Sequence, residues 1–226
     1  MDPRNTILFV LSAAALGGAS ILMASNLHLP GNNLGYEPEQ PIAYSHRLHA
    51  GELQIQCLYC HFGAKTSRHA GIPPAEICMN CHRLVTAGHD AVLEEKLTAE
   101  KEGREPKKLI SPELAKLYEH LGLDENQEPD PSKTPTPIEW VRVNILPDFV
   151  YFDHRVHVNR GVACETCHGP VQGMERIRQF TDLSMGWCLR CHRSLPADPP
   201  PSGIPLAAEG ERKKDHVSTD CSSCHY

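Results

Sequence analysis

Every cysteine in this chain lies three positions from another, and each pair is followed at once by histidine. The ten cysteines form five Cys-x-x-Cys-His runs: Cys57 and Cys60 with His61, Cys78 and Cys81 with His82, Cys164 and Cys167 with His168, Cys188 and Cys191 with His192, and Cys221 and Cys224 with His225. Two thiols at this spacing can form thioethers to the two vinyl groups of a porphyrin, and the next histidine then sits beneath the iron as proximal ligand. A zinc ribbon uses two such knuckles per metal and has no use for the added histidine. A disulfide scaffold does not require it either. The spacing therefore predicts five covalently attached haem c groups, with no cysteine left for a disulfide.

Iron in such a group takes a sixth ligand on its far face, and an internal repeat offers candidates. Tyr44-Ser45-His46-Arg47-Leu48-His49 precedes the first motif, and Phe152-Asp153-His154-Arg155-Val156-His157 precedes the third. Both read aromatic-x-His-x-x-His. Histidines three apart lie on nearly one face of a helical turn, so one short segment can ligate two irons. His46, His49, His154 and His157 are the expected distal ligands. With the five motif histidines they make nine, one short of ten. Methionine is the usual alternative, so Met185 or Met174 is the expected tenth, with His69, His89 and His216 as rivals. His28 and His120 read as surface or packing residues.

The elements that must hold these groups are sparse. Aromatic residues make up 6% of the chain and prolines number 19, a composition poor in material for a core of its own. Five groups sharing 226 residues leave about 45 residues each. The expected fold is mostly irregular, with short α-helices wrapped around porphyrins. The net charge of −6 argues against nucleic-acid binding, which needs a concentrated basic surface.

Thr6 to Ser25 is an uncharged, largely apolar run long enough, at the helical rise, to span roughly 30 Å of hydrocarbon. A cleaved signal peptide would need a more charged start, a shorter apolar core and a better cleavage site than Leu22-Met23-Ala24-Ser25-Asn26. Residues 1–30 are therefore expected to be an uncleaved transmembrane anchor in the cytoplasmic membrane. Because bacterial haem c attachment occurs outside that membrane, the bulk of the chain is expected in the periplasm.

Organisation follows the motifs: a first two-haem unit over 31–92, a helical and Pro-rich insertion over 93–147, a second two-haem unit over 148–195, and a Pro-rich linker with the fifth site over 196–226. Within the insertion, Leu93 to Lys101 reads as a charged helix. Ser111-Pro112-Glu113 begins a second, with a capping serine, proline at the first position and an early acid, and Gly122 ends it. Leu114, Leu117 and Leu121 give that helix one apolar stripe, expected to pack on the rest of the chain.

Tyr44-Ser45-His46 with His49-Ala50-Gly51, Ala70-Gly71-Ile72-Pro73-Pro74 before Cys78-Met79-Asn80-Cys81-His82, Leu146-Pro147-Asp148-Phe149-Val150-Tyr151-Phe152 and Met185-Gly186-Trp187-Cys188 resemble the pentahaem cytochrome c subunit of alternative complex III. The paired histidines are also similar to those of class III multihaem cytochromes c. The resemblance implies an electron-transfer subunit of a membrane quinol-oxidising complex. Its implied neighbours are an iron–sulfur/molybdopterin-like subunit, polysulfide-reductase-like quinol-binding membrane subunits, other cytochrome c subunits and a soluble periplasmic acceptor. No independent catalysis is expected, since all five motifs end in histidine; a catalytic multihaem component with one open iron is the alternative.

Overall fold

The computed structural model describes residues 11–13, 17–18, 33–194 and 217–225. The expected anchor over 1–30 falls almost wholly outside them, as do His28 and His216. No described helix is long and apolar enough to cross a membrane.

Short helices and extended connectors make up the described chain, and its only β pairing is two isolated bridges, Leu123 with Pro129 and Val150 with His225. The helices are α1 (Cys57–Cys60), α2 (Ala75–His82), α3 (His89–Glu102), α4 (Pro112–His120), α5 (His154–Asn159), α6 (Cys164–His168) and α7 (Met185–Ser194). Four of them carry Cys-x-x-Cys-His motifs. The fifth motif forms a single 3₁₀ turn, Cys221–Ser223, and of the first His-x-x-His pair His46 precedes, and His49 lies within, a π-helical turn, Arg47–Glu52.

Local signals explain the longest elements. Ser111 accepts a hydrogen bond from the Leu114 amide at 3.3 Å, and Pro112 occupies the first helical position, so α4 begins where its capping sequence predicts. Its apolar stripe is buried: Leu117 and Tyr118 cluster with Ile42, against Ala75, Cys78 and Met79 of α2. The insertion thereby braces the second motif. The Tyr118 hydroxyl donates to the His82 carbonyl at 2.7 Å, and Gln127 donates to the same oxygen at 3.0 Å. Helix α3 ends at Gly103 (φ 65°), and Arg104 folds back to ion-pair with Glu95 at 2.6 Å.

This cluster is small, and large apolar side chains flank the motifs in the open: Tyr59, Phe62, Leu84, Phe149, Phe180 and Met185 are all exposed, Leu84 at 86%. A chain of this size does not ordinarily leave so much greasy surface beside one kind of motif unless something covers it. A porphyrin has the apolar area to do so.

Candidate haem sites

The two His-x-x-His segments fold alike. Tyr44 meets His46 edge-on at 4.9 Å between centroids and stacks on His49 at 4.4 Å. Phe152 meets His154 edge-on at 4.9 Å and stacks on His157 at 4.5 Å. Nδ1 of His49 donates to the Ser45 carbonyl at 2.8 Å, and Nδ1 of His157 donates to the Asp153 carbonyl at 2.8 Å. Asp153 also caps α5 by accepting from the Arg155 amide at 2.9 Å. In each copy, the leading aromatic is the wedge that fixes both imidazoles.

Each segment then faces motif histidines. His49 lies opposite His82 with centroids 6.1 Å apart, His154 opposite His168 at 6.4 Å with planes 5° from parallel, and His157 opposite His192 at 6.1 Å. One metal atom fits between two imidazoles at that separation, with a metal–nitrogen bond of about 2 Å on each side.

Hydrogen bonds set which nitrogen is free. A carbonyl can only accept, so a ring nitrogen facing one carries the proton. Nδ1 of His61 donates to Gly71 at 2.6 Å, that of His82 to Val85 at 2.8 Å, that of His154 to Arg68 at 2.9 Å and that of His192 to Ser218 at 2.8 Å. Such a bond locks the tautomer and ring orientation and leaves Nε2 for a metal.

His46 differs. It lies among His61, His49 and His168, and burial, followed by the positive charge those rings can carry, lowers its pKa to about 4. Its Nδ1 is buried without a hydrogen-bond partner. Burial likewise lowers the pKa values of His157 and His168, which favours the neutral imidazole a metal requires. Among the thiols, burial pushes Cys164 and Cys167 up to about 11. Among the described residues no three His, Cys, Asp or Glu side chains gather as a metal cluster of their own. Paired rings, free Nε2 atoms and uncovered apolar surface fit haem c.

The two methionines are placed differently. Met174 is buried, and its carbonyl accepts from the Arg47 amide at 2.8 Å, beside the first histidine pair. Met185 is 65% exposed at the start of α7, one helical turn before Cys188. His69 and His89 are exposed, and His120 pairs with the Thr136 hydroxyl at 3.1 Å.

Arg68 is the residue that sequence reasoning misses. Its carbonyl accepts both the His154 amide at 3.1 Å and His154 Nδ1. Its Nε donates to the Phe152 carbonyl at 3.2 Å, and its guanidinium lies 4.4 Å over the Tyr151 ring. In sequence it is one polar residue in Lys65-Thr66-Ser67-Arg68-His69, with no pattern to mark it.

Residues 150–226 match the family described as cytochrome c7 and related cytochrome c. Over 190 residues, 84% of this chain and 69% of the other, the sequence is 25% identical to the menaquinone reductase multiheme cytochrome c subunit of Nitratidesulfovibrio vulgaris. In its second histidine pair and last three motifs, the chain is thus similar to cytochrome c7 and its relatives, and across most of its length to a multihaem cytochrome c subunit.

Proposed function

We propose that the chain is an electron-transfer subunit of a membrane quinol-oxidising complex of the alternative complex III kind, holding five haem c groups. The observation that carries this reading is the opposition of His49, His154 and His157 to three motif histidines, which offers each of those three irons two protein ligands. Bound haem supplies reversible one-electron chemistry. Tyr44 and Phe152 wedge the distal rings, backbone carbonyls hold the Nδ1 protons, and burial keeps His46 neutral. His46 takes the remaining place, opposite His61. Met185 is preferred over Met174 as the remaining distal ligand, because it stands exposed at the head of α7 whereas Met174 is buried. Residues 1–30 anchor the chain in the cytoplasmic membrane with its bulk in the periplasm. Its partners there are iron–sulfur and quinol-binding membrane subunits, further cytochrome subunits and a soluble acceptor.

Haem-to-protein stoichiometry of the full chain tests this reading. Five groups per chain, all reversibly reducible and closed to carbon monoxide, are expected; four or fewer in fully matured protein would refute it. The similarity to a menaquinone reductase subunit favours a second reading, in which electrons run toward quinone. Stopped-flow mixing of the assembled complex with quinol, and separately with a reduced periplasmic cytochrome, separates the two directions.

A further inference from the structure

The five motifs do not follow one another in space as they do along the chain. Resting on the electron-transfer reading, we infer that they are strung in the order second, first, third, fourth, fifth, so that the Cys78–His82 and Cys221–His225 groups are the two ends of the array.

Each junction is carried by named contacts. Between the second and first motifs, Asn80 donates to the Tyr59 hydroxyl at 2.9 Å, and both residues lie inside their motifs. The first and third motifs are tied by His154, which faces His168 and whose Nδ1 donates to the Arg68 carbonyl, and by Asn159, which donates to the Lys65 carbonyl at 3.0 Å, both carbonyls lying in the segment that follows His61. The third and fourth are joined by α5, whose His154 and His157 face His168 and His192. The fourth reaches the fifth through His192 Nδ1, which donates to the Ser218 carbonyl just ahead of Cys221. The fifth is docked again on the approach to α5, where the Tyr151 amide donates to the Cys224 carbonyl at 2.7 Å.

The order follows from the duplication. In each half, a His-x-x-His segment spans its own two motifs, and the halves meet at the first motif of each. The second motif of the leading half and the second of the trailing half are thereby driven outward. The C-terminal motif then extends the trailing side. A chain-order reading would put the second and third groups in contact and the first at an end.

Proton NMR of the loaded full chain tests this, with each haem assigned through its axial histidine. Cross-relaxation between haem substituents is expected for the groups of His82 and His61, His61 and His168, His168 and His192, and His192 and His225. Cross-peaks joining the His82 and His168 groups, with none joining His61 and His168, would overturn the order. A His49→Met variant is an independent check. It raises the potential of the His82 group, and reducing that group first should shift the His61 group most, because charge interaction falls with distance. A larger shift at any other group would also overturn the order. Five closed, reducible haems in a different order would defeat this inference alone; an incomplete or irreversible haem set would defeat the underlying reading with it.

Discussion

His154 and His168 lie opposite each other, 6.4 Å between ring centroids and with planes within 5° of parallel, although they belong to different helices and only one of them lies in a Cys-x-x-Cys-His motif. The His154 ring is held by the carbonyl of Arg68, a residue of the other half of the chain. The orientation of the His154 ring thus depends on how the two halves dock.

Replacing His154 by alanine should leave the thioethers at Cys164 and Cys167 intact while opening one iron. The reduced variant is expected to bind one carbon monoxide per chain, and the His154→Met variant none. Optical titration with the gas checks both; a closed set of irons in His154→Ala would remove His154 from the ligands.

Arg68→Ala removes the cation–π contact with Tyr151 and the hydrogen bond to Phe152 but keeps the carbonyl that holds His154. The expected loss is about 1–2 kcal/mol of stability against urea, with haem content unchanged. Arg68→Lys should recover little, since an ammonium cannot lie flat on the ring while also donating sideways. Equal stability of all three proteins would show that the two halves do not lean on this side chain.

Gly169 closes α6 directly after His168, with φ at 71°, and a methyl group there would lie 2.2 Å from Cγ of Phe180. Gly169→Ala should cost on the order of 1 kcal/mol from backbone strain alone, and more from the collision. Adding Phe180→Ala should return only the collision part. Thermal melting of the single and double variants measures the split, and a neutral Gly169→Ala would contradict the geometry.

Hydrogen bonds from the Arg104 side chain, then from the Lys107 amide, depress the Glu95 pKa to about 2. A depressed carboxylate pKa stabilises the fold above the unfolded value near 4.5, and that contribution disappears as pH falls toward 2. Amide exchange in α3 should therefore accelerate across this window in the wild type. In Glu95→Gln, protection should be lower at neutral pH and flatter across the window. The same slope in both proteins would mean the pair does not hold the helix end.

Met185→Leu should abolish the charge-transfer absorption that marks thioether-ligated ferric haem and lower the potential of one group, whereas Met174→Leu should leave both unchanged. Loss of the signal only in the Met174 variant would reverse the assignment. Absence of the signal from the wild type would exclude both methionines.

What this sequence determined by itself is whatever a few consecutive residues can encode. Attachment chemistry depends on two thiols and an imidazole within five positions, so all five motifs were legible without a fold. The aromatic wedge and paired imidazoles of 44–49 and 152–157, and the start of α4 at Ser111-Pro112, are local in the same way. Tertiary structure alone decided which imidazole faces which, because the opposition of His49 to His82 and of His157 to His192 spans chain that could close in several ways. It also decided the role of Arg68, which acts through a backbone carbonyl that every residue possesses. The hydrogen bond from Asn159 to the Lys65 carbonyl belongs to that level as well: how the two repeated halves pack is recorded by no spacing along the chain.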